Sequence, residues 1–206
     1  MAISLQKGQG VNLRKDTGFD LSRLNIGLGW DVANHQPPYD LDAVAFLLGS
    51  NGKVNHLGKL GSNGRPTLEG GDVVFYNSQR HPSGKIWLNG DNRTGSGTGD
   101  DEQITVDLDH LPQQYQAILF AVAIFKGKEL GQSFAGVKRA SIRAVDAQGR
   151  EICRYDIGGC PENAAHCAMT FAQAERDGNG GWVFRAIGEF HESDRFIDIL
   201  KQYLPY

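Results

Sequence analysis

The residues best placed to do chemistry are carboxylates, and they fall into two groups. Residues 90–104 read GDNRTGSGTGDDEQI and hold Asp91, Asp100, Asp101 and Glu102, with Gly95, Gly97 and Gly99 at every second position. Like charges this close repel, and glycine loses much backbone freedom on ordering, so the loop needs a compensating partner. A phosphate cradled by glycine N–H groups would face Asp100, Asp101 and Glu102 in succession, and the GK[ST] ending of a P-loop is missing. A divalent cation fits better. Carboxylates, the Asn92 amide and glycine carbonyls are all oxygen donors, which suit a hard cation, and glycine lets a carbonyl turn toward an ion without a Cβ clash. Six to eight flexible protein oxygens favour calcium over magnesium. The span Asp91 to Glu102 has the twelve-residue length of an EF-hand loop, but Arg93, Gly95 and Ser96 occupy its third, fifth and sixth positions and the flanks read as strands. An EF-hand is excluded. A solvated acidic turn is the third reading.

The second group lies in IGLGWDVANHQPPYDLDAVAFLL (26–48). Asp31, Asp40 and Asp42 stand at the edges of apolar stretches, and Asp40-Leu41-Asp42 puts two carboxylates on one side of an extended chain. Acids beside buried apolar residues are costly without a compensating cation. Asx hydrogen bonds in a turn after Pro37-Pro38 are the alternative.

Other chemistry has less to stand on. Ser96 and Thr98 have no histidine near in sequence to act as a base. His35, His56, His81, His110, His166 and His191 show no HxxxH or HxH spacing. Cys153, Cys160 and Cys167 are spaced by seven, which suits free thiols; the His166-Cys167 pair lacks the short CxxC spacing of structural zinc.

The elements that must carry these acids are mostly strands. VVFY (73–76), KIWL (85–88) and the alternating Ile104, Val106 and Leu108 read as strands, and AILFAVAIF (117–125) reads as a central strand covered on both faces. ASIRAVD, EICRYDI and the hairpin AMTFAQAER–DGNGG–WVFRAIGEF follow. Ser193 is placed to cap a C-terminal helix with Phe196, Ile197, Leu200 and Leu204 on one face, and a shorter turn is expected around Leu130 to Val137. HLGKLGSNGRPTLEGG (56–71) is Gly-rich and aperiodic, a mobile surface excursion. Regular strands with few helices predict a mainly β fold: a β-sandwich of two mostly antiparallel sheets with a few flanking helices, in one domain over residues 1–206.

The totals set outer bounds. At 206 residues, 40% hydrophobic and 22% charged, the chain suits one globular domain with a full core. A net charge of -3 argues against a nucleic-acid binder, which would show a basic stripe. The sequence lacks an apolar run near the ~18 residues of a membrane span and a secretory h-region at its start, so a cytoplasmic protein is expected.

IGLGWD (26–31), DLDAVAFLL (40–48), DVVFYN (72–77) and GDNRTGSGTGDDE (90–102) resemble the TerD family of tellurium-resistance and stress-response proteins. RAVDAQGREICRYDI (143–157) and WVFRAIGEF (182–190) continue the match in order, from SLQKGQGVNL to the C-terminal helix. The resemblance implies a β-sandwich with flanking helices that binds two calcium ions at one end. It implies a cytoplasmic stress protein that works with other tellurium-resistance proteins, some at the inner face of the membrane. Carried over to this sequence, the implied ligands are Asp31, Asp40, Asp42, Asp91, Asn92, Gly95, Gly97, Asp100, Asp101 and Glu102. Residues 56–71 depart from the pattern, being longer than the connection expected before FYN.

Two functions follow. The first is a non-catalytic calcium-binding protein of tellurite and chemical-stress resistance. The second is a metal-dependent enzyme acting on a phosphorylated or nucleotide-like small molecule, in which the ion polarises a phosphoryl oxygen. Arg93 could clamp phosphate in the second case or neutralise surplus acids in the first.

Overall fold

The structure is a computed structural model that describes residues 3–4, 10–12, 18–20, 22–31, 37–89, 99–157, 159 and 161–205. Among the described residues twelve strands appear in chain order: β1 Ile3–Ser4, β2 Gly10–Asn12, β3 Arg23–Asp31, β4 Leu41–Leu48, β5 Val73–Val74, β6 Ile86–Asn89, β7 Glu102–Asp107, β8 Ala117–Ile124, β9 Lys138–Val145, β10 Glu151–Asp156, β11 Ala168–Arg176 and β12 Trp182–His191. They form two six-stranded sheets, ordered β1-β10-β9-β3-β7-β6 and β2-β12-β11-β8-β4-β5. Every pairing is antiparallel except β1 with β10. The expected sandwich of mostly antiparallel sheets is the observed architecture.

Period-two alternation explains the first sheet. On β3, Leu24, Ile26, Leu28 and Trp30 are buried toward the second sheet, where they meet Leu41, Ile118, Phe120 and Phe171 in one core. Strands β4 and β8 do not alternate, and all sixteen of their residues are buried. The reason is a second apolar layer on the outer face of the second sheet. There Val44, Phe46, Leu48 and Leu119 pack under Val54, Leu68, Phe75, Phe196, Ile199 and Leu200. AILFAVAIF therefore reads as expected, as a strand covered on both sides.

Part of that cover comes from residues 56–71. They fold back on themselves as a ribbon, with Leu60 bridging Pro66 and hydrogen bonds from Lys59 N to Glu69 O (3.0 Å) and Thr67 N to Lys59 O (2.8 Å). The expected loose excursion is thus a hydrogen-bonded arm whose Leu68 is buried. The rest comes from the C-terminal α1, Phe196–Leu200, which is shorter than its apolar spacing suggested. Its N-cap is Arg195, without a side-chain cap. Ser193 instead accepts the Arg195 N–H (3.1 Å) and donates to the Asp198 carboxylate (2.6 Å). Among the described residues the other helical pieces are two 3-10 turns, Pro161–Asn163 and Lys201–Tyr203. Cys153 and Cys167 are free, buried thiols, and Cys160 lies outside the described residues.

Candidate functional site

The acidic residues collect where β3 ends and β7 begins. Glu102 opens β7 opposite Leu28, so it shares the inward face of that apolar residue and is 1% exposed. Its Oε2 accepts the Ala43 N–H at 2.7 Å, crossing from the first sheet to the second. The acceptor is needed there. Leu47 N donates to Asp72 O on the β5 side of β4, so by alternation the Ala43 N–H points to that side too. Strand β5 stops at Val74, opposite Ala45, and Glu102 takes the place of the missing neighbour. A second tie, from Trp30 Nε1 to Tyr39 O (3.2 Å), binds the approach to β4 to the same end.

Asp100 and Asp101 lie across β3. Its outward positions 27 and 29 are glycine; a Cβ at Gly27 would overlap the Asp100 carboxylate, and one at Gly29 would come 3.1 Å from Gly99 O. Asp101 N donates to Leu28 O (2.8 Å), and Asp101 Oδ2 accepts the Trp30 N–H (2.9 Å). Burial pushes the Asp101 carboxyl above its ordinary range; the Trp30 N–H opposes this, while the charges of Asp100 and Asp31 add to it. Asp31, exposed at the end of β3, lies 3.3 Å from Arg139 Nε. Asp100 is gripped by Arg143, Nε to Oδ1 at 2.8 Å and Nη2 to Oδ2 at 3.1 Å. Arg139 and Arg143 thus pair with these two acids, and Arg93 lies outside the described residues.

Of the second acid pair, Asp42 faces elsewhere. Asp42 pairs with Ala123 on the outer face of the second sheet and is 6% exposed. It lines a cavity of about 390 Å³ with Tyr76, Phe125, Lys126, Glu129 and Asp194. Asp40 precedes β4 by one residue, and its carbonyl accepts the Phe125 N–H (2.8 Å). The structure therefore brings Asp31, Asp100, Asp101 and Glu102 to one end and turns Asp42 to the other face of β4. Asp91, Asn92, Gly95 and Gly97 lie outside the described residues. Among the described residues, no three His, Cys, Asp or Glu side chains are grouped to hold a metal ion. The acids described at this end offer oxygen donors alone, which is the donor chemistry of a hard cation.

Two features escaped the sequence. Arg143 is 43 residues from Asp100, and its place follows from the register of β9 on β3. The other is a buried polar hub under the 56–71 arm. Asp72 accepts the Tyr115 hydroxyl (2.8 Å), His81 Nε2 (3.3 Å) and the His56 N–H (3.0 Å). The Ser83 N–H donates to His81 Nδ1 (3.1 Å), which leaves Nε2 as the protonated nitrogen that donates to Asp72. Burial works against the Asp72 charge, but the bonds from His81, Tyr115 and His56 outweigh it and hold the carboxyl below its ordinary value.

Known proteins resemble this chain along nearly its whole length. The TerD domain matches residues 1–203. The chain is 49% identical over 216 positions to the tellurium resistance protein TerX of Serratia marcescens, spanning 99% of this chain and 100% of that one. It is 34% identical to general stress protein 16U of Bacillus subtilis (strain 168), over 93% and 92% of the two chains. The crystal structure of a TerD homologue from Streptomyces coelicolor A3(2) superposes with a TM-score of 0.69 at 26% identity, over 90% of this chain and 99% of that one. With the sandwich, the GLGWD strand and the acidic loop entrance in place, the chain belongs to the TerD family of tellurium-resistance and stress-response proteins.

Proposed function

We propose that this protein is a non-catalytic calcium-binding member of its family, serving tellurite and chemical-stress resistance. One observation supports the reading above others. Asp101 is buried, which raises its proton affinity, with the charges of Asp100 and Asp31 adding to the rise, and it stands beside the buried Glu102 at the point where the acidic loop joins the sheet. A native state that gathers negative charge in this way is relieved by a bound cation. The ligands for two calcium ions are drawn from Asp31, Asp40, Asp91, Asn92, Gly95, Gly97, Asp101 and Glu102; Asp42 is turned to the other face of β4, and Asp100 is held by Arg143. The names of TerX and general stress protein 16U support the stress role. The protein works in the cytoplasm with other tellurium-resistance proteins, some at the inner face of the membrane. Among the described residues, no helix is long and apolar enough to cross a membrane.

A thermal-shift series tests the proposal. Calcium at 100 times its dissociation constant should stabilise the native state by ~2.7 kcal/mol, and chelator should reverse the gain. At 2–4 °C per kcal/mol for a chain this long, the rise is about 5–10 °C, with magnesium giving less. An unfolding temperature that ignores millimolar calcium and chelator alike refutes calcium binding. Turnover of a phosphoester panel by the pure protein, lost in Asp101→Asn, would instead establish the metal-dependent enzyme.

A further inference from the structure

Asp100 differs from its neighbouring acids in what surrounds it. Its side chain, 15% exposed, lies over Gly27 on the outer face of the first sheet, in space that any other residue would fill with a Cβ. Gly27 pairs with Arg143 on β9, and Arg143 pairs with Arg154 on β10, so the three positions form one row across three strands. Along that row the charges alternate. Arg143 grips both Asp100 oxygens and gives Nη1 to Glu151 Oε2 (3.3 Å). Arg154 grips Glu151 through Nε (3.1 Å) and Nη2 (2.8 Å), and its Nη1 donates to Ser141 Oγ (2.9 Å). A carboxylate with both oxygens on one guanidinium is neutralised in place.

We propose that Asp100 is not an ion ligand but the anchor that fastens the end of the acidic loop to the first sheet, with Arg143 as its positioning residue. This rests on the cation reading for its consequence, since it leaves Asp101 and Glu102 as the ligands this end of the loop supplies. The anchor itself is a property of the ion-free protein. The clamp fixes the chain at 99–101, where Gly99 has φ +112° and its carbonyl lies over Gly29.

Three substitutions attack the clamp from different sides: Asp100→Asn removes the charge, Arg143→Met removes its partner, and Gly27→Ala fills the space beneath. Hydrogen exchange of residues 99–103 is read in chelator, and calcium affinity is read by calorimetry. An anchor predicts that all three variants exchange about tenfold faster, as expected for loss of a charge-assisted pair. It predicts that they weaken calcium by one common factor, that Arg143→Lys recovers part of both losses, and that Asp100→Asn with Arg143→Met is no worse than either alone. The proposal is overturned if Asp100→Asn abolishes calcium binding while Arg143→Met and Gly27→Ala leave it intact, because that is how a ligand behaves. Unchanged exchange in folded Asp100→Asn and Arg143→Met also overturns it. Should Gly27→Ala fail to fold, the other two carry the test. If the wild-type protein binds no calcium, the cation reading fails while exchange in chelator still decides the anchor.

Discussion

Replacing Glu102 separates its two duties, as the acceptor for a lone edge N–H and as a negative charge. Glu102→Gln keeps an oxygen for the Ala43 N–H and loses the charge; Glu102→Ala loses both. In chelator the two variants share the loss of charge, so the gap between them isolates the hydrogen bond and the packing. An orphaned buried N–H costs ~1–3 kcal/mol, and the one buried methylene lost contributes ~0.8 kcal/mol. Glu102→Ala should therefore fall below Glu102→Gln by about 2–4 kcal/mol, or about 10 °C in unfolding temperature. Chemical denaturation at pH 7 measures the gap, with unchanged m-values showing that the native state stays compact. Calcium adds the second readout: wild type should gain stability, and Glu102→Gln should gain much less. A gap below about 1 kcal/mol would refute the argument that Glu102 replaces a strand partner of Ala43. Equal damage in both variants would show that the charge, not the acceptor, holds the sheets together.

Three further outcomes follow from the same physics. The raised Asp101 carboxyl means that the native state binds its proton more readily than the unfolded chain, so ionisation opposes folding increasingly as pH rises through the native value. Asp101→Asn should raise the unfolding temperature in chelator at pH 7 and shrink the calcium-induced rise; differential scanning fluorimetry reads both. Asp72 has the opposite sign: its lowered carboxyl contributes stability that is full above the unfolded value of 3.8 and is lost as pH falls through the native one. Asp72→Ala, which strips acceptors from the buried Tyr115 hydroxyl and His81, should cost about 3–5 kcal/mol at pH 7 and flatten the acid limb of a stability–pH curve. Burial pushes the Cys153 thiol up to about 12 and raises that of Cys167, so a Cys160→Ser variant should resist a thiol reagent while native and titrate two thiols once unfolded.

Much of the frame was legible because it follows from alternation. The inward set of β7, the continuous burial of β8, and the hairpin across DGNGG all have local signals in residue type. The Asp40-Leu41-Asp42 spacing likewise predicts carboxylates on one side of the chain, and Asp42 does face outward from its sheet. What could not be read was register. Asp100, Asp101 and Glu102 look equivalent as DDE, yet pairing with β3 sends Glu102 into the core and lays Asp100 over Gly27. Arg143 and the Asp72–His81–Tyr115 hub join residues tens of positions apart, a juxtaposition that only the closed fold creates. The 56–71 arm misled because its order comes from covering Phe46 and Leu48, not from any periodicity of its own.

The sheet order also sets a timetable for synthesis. On the ribosome, β1 and β2 emerge first, yet β1 pairs with β10 and β2 with β12, so both must wait for nearly the whole chain. The apolar outer face of β4 and β8 waits longer still, until residues 196–204 arrive to cover Phe46 and Leu119. Nascent chains will carry that greasy face bare for seconds at ordinary elongation rates of about 5–20 residues per second. Pairings so distant along the chain close slowly as well. The newborn chain thus exposes this sheet face until residues 196–204 are made and close over it.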